Sequence, residues 1–86
     1  MAYLVSPECV SCAVEEGIAI LDLRSNTYFS LDLVGAAIWG RMATPASLDD
    51  LTAAVSAEYD VSPQDCRDDI ADLLNDMQAH DLIQIV

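Results

Sequence analysis

The sequence predicts an α+β fold in which a three-stranded antiparallel meander is followed by three helices. Up to residue 31 the apolar residues recur at a period of two, which is typical of strands. From residue 32 onwards they recur at helical spacing. Strands in one block and helices in another indicate an α+β fold with the helices on one face of the sheet. The 86 residues suffice for one small domain, and we predict a single domain over residues 1–86.

The first third of the chain contains three predicted strands. Residues 8–15 alternate in character, and residues 18–23 are apolar enough to be covered over most of their length. Residues 27–31 are β-branched and aromatic, which favours a strand. This last strand pairs back on the second through a polar turn in which Asn26 can adopt a positive φ. The meander therefore leaves one edge of its last strand free.

The first helix is predicted to start after an N-cap at Asp32, whose carboxylate can accept a hydrogen bond from an amide of the first turn. It should end near Ala43, because a residue that precedes a proline resists the α conformation. Trp39 has the helical spacing of a core residue. Gly35 and Gly40 each cost about 1 kcal/mol relative to alanine, and we predict that another element approaches both closely.

Two further helices follow at strong start signals. Ser47 and Asp50 have the spacing of a capping box, and Ser62 precedes Pro63 at the first position of a third helix. Residues 1–7 are predicted to be a loose arm with extended character, and residues 82–86 an apolar tail. The second and third helices form a helix-turn-helix, and with the small sheet they predict a winged-helix-like architecture.

The charge of the chain restricts its partners. Three arginines and no lysine stand against fifteen acidic residues, which gives a net charge of −12. Such a surface repels nucleic acid, because affinity for phosphate backbones depends on lysine and arginine, and it equally repels anionic membranes. It attracts basic partners. No apolar run is long enough to span a bilayer, and the first residues lack the basic region of a signal peptide, so the sequence predicts a cytoplasmic protein.

Catalytic and metal-binding patterns are weak. Cys9 and Cys12 have the spacing of half a zinc site, but no second pair follows, and residues three apart in a strand point to opposite faces. The single histidine, His80, lies at a predicted helix end with no serine or cysteine paired with it in sequence. Nucleophilic catalysis needs such a base. We therefore predict a protein without catalytic activity, metal or cofactor.

The sequence around the predicted free edge resembles a known family. Tyr-Phe-Ser-Leu-Asp at residues 28–32, followed by Gly-Ala-Ala-Ile-Trp at residues 35–39, resembles the signature of PqqD-like proteins. Residues 47–51, 59–61 and 69–82 are similar to the second and third helices of that family. The resemblance extends from Glu8 to the C-terminus.

This resemblance implies a recognition element for ribosomally synthesised and post-translationally modified peptides (RiPPs). Such an element is a winged helix-turn-helix domain that binds the leader of a precursor peptide. In the family the leader adds as an antiparallel strand to the third strand, in the cleft between that strand and the third helix. A free-standing acidic chain resembles the recognition protein of lasso-peptide pathways. Implied partners are a precursor with a Tyr-x-x-Pro type leader, a leader peptidase of the cysteine-protease type and a macrocyclase.

Strand addition of this kind gains affinity from backbone hydrogen bonds and specificity from pockets for alternate side chains. The apolar side chains of the third helix would take an apolar leader residue, and its acidic side chains would pair with leader lysine or arginine, which acts mainly on association rate. The predicted peptide-binding residues are Asn26, Thr27, Tyr28, Phe29, Ser30 and Leu31 on the strand and its turn, with Asp69, Asp72, Leu73, Asp76 and Met77 on the helix.

Two other functions are compatible with parts of the sequence. The architecture permits a winged-helix DNA-binding regulator, but no arginine cluster occurs in the helix that would read DNA. Size and acidity also suit an acyl carrier protein. Against that, Ser47-Leu48 lacks the preceding acid of an attachment site, and the first third of the chain has strand character.

Overall fold

The computed structural model describes residues 1–86 and contains five strands and three helices. In chain order they are β1 (Tyr3–Val5), β2 (Cys9–Val14), β3 (Gly17–Asp22), β4 (Thr27–Leu31), α1 (Leu33–Arg41), α2 (Leu48–Tyr59), α3 (Pro63–Ala79) and β5 (Ile83–Ile85). Strands β2, β3 and β4 form the predicted antiparallel meander. Asn26, in the turn before β4, has a φ of 55°, as its position predicted.

A second, two-stranded sheet was not predicted. Strand β1 pairs antiparallel with β5, so that Tyr3 lies opposite Ile85. The amide of Tyr3 also donates to the carbonyl of Ala46 at 2.7 Å, and the Tyr3 side chain is buried. The prediction of a loose N-terminal arm is therefore wrong. Each of these strands has three residues, which is too short to show a period of two, and the two strands lie at opposite ends of the chain.

The predicted helix starts are largely confirmed. The amide of Gly35 donates to Asp32 Oδ1 at 2.8 Å, and α1 ends at Arg41, two residues before the predicted end. Both bonds of the Ser47–Asp50 capping box are present, at 3.0 and 3.1 Å. Ser62 occupies the N-cap position of α3, but its side chain makes no capping hydrogen bond.

The helices cover one face of the meander. Thirteen buried apolar side chains form the core, to which both sheets and all three helices contribute. Trp39 is among them, as predicted, and its indole Nε1–H donates to Ser11 Oγ at 3.2 Å. The other face of the meander is open to solvent, and side chains such as Tyr28 and Val10 are exposed there. None of the three helices has the length and apolar character needed to cross a membrane.

The two glycines of α1 lie in different surroundings. A Cβ atom at Gly35 would lie 2.9 Å from the Cβ of Leu31, so the predicted close approach is correct there, and the neighbour is β4. A Cβ atom at Gly40 would meet nothing within 4 Å, so the same prediction is wrong for Gly40.

Candidate functional site

Hydrogen bonding along the meander determines which backbone groups of β4 are unpaired. Just beyond the β2–β3 pair, the amide of Leu23 donates to the carbonyl of Glu8 at 2.9 Å. Hydrogen-bonded and non-hydrogen-bonded pairs alternate along an antiparallel ladder. Every second residue of β3 therefore bonds to β2, and the residues between them bond to β4. Those that bond to β4 are Ile18, Ile20 and Asp22.

The partners of these three residues in β4 are Leu31, Phe29 and Thr27. Tyr28 and Ser30 lie between them, so their N–H and C=O groups point away from β3. No other strand pairs with β4 on that side. The outer edge of β4 therefore offers two donors and two acceptors to an added strand.

An apolar cleft of about 710 Å³ lies beside this edge. Its floor and walls come from the end of β4, from α1, from the second half of α2 with Val61 in the loop after it, and from one flank of α3. The apolar lining consists of Leu31, Val34, Ile38, Val55, Tyr59, Val61, Cys66, Ile70 and Leu73. A free strand edge and an apolar cleft thus border each other.

All charged side chains that line the cleft are carboxylates. They are Asp32, Asp69 and Asp76, and no lysine or arginine is among the lining residues. Asp32 is engaged in capping α1. Asp69 makes no ion pair, and the nearest basic atom to Asp76 is Nδ1 of the exposed His80, 3.8 Å away. The cleft is therefore apolar inside and negative at its rim.

Phe29 and His80 bound the cleft at the C-terminal end of α3. The ring of Phe29 packs edge-on against the ring of His80, with the centroids 5.1 Å apart. Nδ1–H of His80 donates to the backbone carbonyl of Asp76 at 2.9 Å. The residues of β4 that line the cleft are therefore the two that follow Phe29, Ser30 and Leu31.

An ion pair between the buried Asp22 and the exposed Arg24 holds the turn that leads into β4. The backbone amide and Nε–H of Arg24 donate to Asp22 Oδ1 at 3.0 and 3.2 Å, and Nη2–H donates to the carbonyl of Asp81 at 2.6 Å. The Arg24 amide, and then its guanidinium, lower the pKa of Asp22. Burial, and then the charge of Asp22, raise the pKa of the nearby Cys9 thiol. This cysteine is therefore kept as a thiol, which is a poor nucleophile.

The structure brings five of the predicted site residues to the cleft: Ser30, Leu31, Asp69, Leu73 and Asp76. Thr27, Tyr28 and Phe29 lie on the same strand, and Asn26 lies in its turn, but their side chains do not line the cleft. The outward backbone groups of Tyr28 still belong to the edge.

Two of the predicted peptide-binding residues, Asp72 and Met77, do not line this cleft. Asp72 is exposed outside the cleft, because it lies on the solvent side of the flank that carries Asp69 and Leu73. Met77 is buried in the core, where the chain turns back after α3 and the amide of Leu82 donates to the carbonyl of Met77 at 3.0 Å.

The contributions of α1 and α2 to the cleft were not predicted. Val34, Val55 and Tyr59 line it together with Val61. Val34, Val55 and Tyr59 lie on apolar helix faces, but helical spacing alone does not tell whether such a face meets the core or a cleft, and Val61 lies in the loop between α2 and α3.

No group of three or more histidine, cysteine or acidic side chains lies close enough together to hold a metal ion. The three cysteines are free. Cys9 packs against the core while Cys12 is exposed, so the two point to opposite faces of β2, as their spacing predicted.

The meander, the helix-turn-helix of α2 and α3 and the open edge of β4 define a winged helix-turn-helix domain. Residues 17–83 match the family described as coenzyme PQQ synthesis protein D (PqqD), and the chain belongs to this family. The resemblance to PqqD-like proteins is thereby confirmed. No curated protein matches the chain in sequence.

Two solved structures are similar to the chain over almost its whole length. One is TbiB1 in complex with the TbiA(beta) leader peptide, with a TM-score of 0.87 and 28% identity over 96% of both chains. The other is lasso peptide synthetase B1 complexed with the leader peptide, with a TM-score of 0.83 and 26% identity over 96% of this chain and 98% of the other.

Proposed function

We propose that this chain is a RiPP recognition element that binds the leader peptide of a lasso-peptide precursor. The leader adds antiparallel to β4 and lies in the cleft against α3. The observation that carries this proposal is the free edge of β4, with the outward backbone groups of Tyr28 and Ser30, directly beside an apolar cleft. An edge supplies backbone hydrogen bonds, and a cleft beside it receives alternate side chains, which are the two components of strand addition. The similarity to two proteins in complex with leader peptides supports a leader peptide as the ligand.

The proposed role is binding without catalysis. The ring of His80 contacts Phe29 and the backbone of Asp76 instead of a serine or cysteine. The Cys66 thiol lines the cleft but donates to the carbonyl of Pro63, at 3.7 Å. Neither contact activates a nucleophile. The chain would instead present the bound precursor to other proteins.

We further propose that these other proteins are a leader peptidase of the cysteine-protease type and a macrocyclase, acting in the cytoplasm where precursors are made. A surface for a protein partner supports this part of the proposal. On the solvent face of the meander, Val10, Val14 and Tyr28 are exposed by 49%, 48% and 72%. Exposed apolar surface of this kind is typical of sites of protein interaction.

DNA binding is not favoured. Arg24 is bonded to Asp22, and Arg67 pairs with Asp49, which leaves Arg41 as the one arginine without a carboxylate partner. A surface with so little free positive charge gains almost nothing from releasing the counterions of DNA.

The proposal is tested by nuclear magnetic resonance with ¹⁵N-labelled protein and the leader of the precursor encoded next to this chain. We expect the amides of Tyr28 and Ser30 to shift and to become protected from hydrogen exchange, and Leu73 to shift with them. A scrambled peptide of the same composition is the control. Binding that leaves residues 27–31 unperturbed, or no binding of the cognate leader, would overturn the proposal. Retarded DNA in a gel-shift at low salt would favour the regulator instead.

A further inference from the structure

We infer that the peptide segment bound in this cleft is basic, with an apolar residue opposite Leu31 and a lysine or arginine two residues away on each side. This inference rests on the proposed strand addition and specifies its ligand. The two basic side chains would pair with Asp69 and Asp76.

The two faces of β4 determine which side chains of an added strand face α3. Phe29 and Leu31 lie on the helix-covered face of β4, since both pack against the core. In an antiparallel pair, residues directly opposite each other point to the same face. The residues of the added strand that lie opposite Phe29 and Leu31 therefore point towards α3. So does the residue of the added strand two positions before the one opposite Leu31. The residues between them lie on the solvent face with Tyr28 and Ser30.

The direction of an added strand relative to α3 follows from the direction of β4. Phe29 contacts His80 at the C-terminal end of α3. Further along β4, Ser30 and Leu31 border the part of the cleft formed by the preceding turns of α3. Strand β4 and α3 therefore run in opposite senses, and a strand added antiparallel to β4 runs in the same sense as α3. Its earlier residues lie near Asp69 and its later residues near Asp76.

The spacing of the acidic side chains along α3 determines which residues of the peptide can pair with them. Leu73 lines the cleft between Asp69, four residues earlier, and Asp76, three residues later. At 1.5 Å per helical residue the two carboxylates are about 10 Å apart along the axis. Four residues of a strand extend over about 13 Å. Lysine and arginine side chains are long enough to span the difference between these two distances. One apolar residue of the peptide therefore fits against Leu73, between two basic residues that pair with the carboxylates.

The energetic cost of covering Asp69 and Asp76 favours a basic peptide. An exposed carboxylate on a helix is ordinarily just solvated, but Asp69 and Asp76 stand at the rim of an apolar cleft that an added strand would cover. Covering a carboxylate without a partner removes its water and is costly. No lysine or arginine of the protein lines the cleft, and the only basic group near either carboxylate is the exposed His80 ring, 3.8 Å from Asp76. A basic peptide would supply the compensating charge. An acidic peptide would be repelled both at this rim and by the net charge of −12.

A displayed library of random peptides, selected on the full chain, tests the inference. We expect the enriched peptides to carry lysine or arginine on both sides of an apolar residue, two positions away. Selection on the Asp69→Asn/Asp76→Asn double variant should keep the apolar preference and lose the basic one. Asp68→Asn is the matched control, because Asp68 is an exposed acid of the same helix that does not line the cleft. It should enrich the same peptides as the unchanged protein.

The strongest selected peptide is then synthesised for a charge-reversal measurement. Asp76→Lys should weaken its binding by about tenfold, and replacing the later basic residue of the peptide by glutamate should restore it. Binding to the unchanged protein should also weaken at high ionic strength, where charges are screened. Enriched peptides that require the β4 edge, tested with Ser30→Pro, but show no basic preference would overturn this inference and leave the proposed function intact. Selection of no edge-dependent peptide would overturn both.

Discussion

The two outer strands of the meander, β2 and β4, offer the same backbone groups in different surroundings. By the alternation of the ladder, β2 turns Ser11 and Ala13 outward, just as β4 turns Tyr28 and Ser30 outward. Five of the six residues of β2 are exposed, and none of them lines the cleft. β4 differs because α3 supplies a second, apolar wall beside it. An unpaired edge beside an apolar cleft offers both backbone hydrogen bonds and pockets for side chains, whereas an edge without a cleft offers only the first of these.

The largest effect is expected from placing a proline on each edge in turn. Ser30→Pro removes an outward amide of β4 and leaves the ladder with β3 intact, because Ser30 does not bond to β3. Leader affinity, measured by isothermal titration calorimetry with the cognate leader, should fall by at least about 100-fold, since one bond is lost and the ring obstructs the incoming strand.

Ala13→Pro is the matched variant on β2, where it also removes an outward amide from an exposed position. It should leave leader affinity within about twofold, since β3 separates β2 from the cleft and effects at distant sites are independent to within about 0.5 kcal/mol. Circular dichroism melts establish that both variants fold. Equal losses of affinity in the two variants, or tight binding by a folded Ser30→Pro protein, would contradict the assignment of the site to β4.

A pair of adjacent residues in α1 tests the cleft itself. Val34 lines the cleft and is 37% exposed, whereas its neighbour Leu33 is 60% exposed and does not line it. Both positions lie in the first turn of the helix, where an added aspartate favours the helix dipole. Val34→Asp should lower leader affinity about tenfold or more, because it places a charge where apolar leader atoms pack.

Leu33→Asp adds the same charge to the protein and should change leader affinity much less. Fluorescence anisotropy with a labelled leader compares the two variants at one ionic strength. A similar loss for both would mean that overall charge, and not the apolar cleft, controls affinity.

The same contrast between edge and cleft explains how much the sequence could predict. Strand β4, the Asp32 cap and the Ser47–Asp50 capping box were predictable because each is specified by residues close together in the chain. The β1–β5 sheet was not, since it joins the two ends of the chain and neither segment has a strong local pattern. Local signals thus defined the edge but not all of its surroundings.

The positions of Asp72 and Met77 outside the cleft were unpredictable for a similar reason. Helical spacing grouped Asp69, Asp72 and Asp76 on one side and Leu73 with Met77 on another, which is correct as a description of the helix. What spacing cannot supply is the line at which the core gives way to the cleft and the cleft to solvent. That line is set by β4 on one side and by the chain after α3 on the other, and both are tertiary contacts.

The two turns of the meander also differ, and this difference predicts that the stability of the protein depends on pH. Arg24 ties the turn before β4 to Asp22 and to the carbonyl of Asp81, whereas residues 15–16 between β2 and β3 have no such anchor. Asp22→Asn should lower the melting temperature at neutral pH, because the charged partner of Arg24 is lost. Glu16→Gln, in the unanchored turn, is the control and should leave it unchanged.

The sign of the pH effect follows from the lowered pKa of Asp22. In the unfolded chain its pKa is about 3.9, so the stabilisation is fully present above that value and is lost as the pH falls through the lower pKa of the folded state. The melting temperatures of the unchanged protein and of Asp22→Asn should therefore converge in acid. A difference that persists unchanged at low pH would show that the carboxylate charge is not what stabilises the turn.

The smallest effect is expected from the two glycines of α1, one facing β4 and one facing away. At Gly40 an added Cβ meets nothing within 4 Å. Gly40→Ala should therefore raise the free energy of unfolding by about 0.5–1 kcal/mol, as an alanine restricts the unfolded chain and favours the helix. At Gly35 the same atom would lie 2.9 Å from the Cβ of Leu31. Gly35→Ala should lower both stability and leader affinity, because α1 must move away from the strand that borders the cleft. Urea unfolding measures the free energy of unfolding, and calorimetry with the cognate leader measures the affinity. If Gly35→Ala were also stabilising, contact between α1 and β4 could not be what holds the edge beside its cleft.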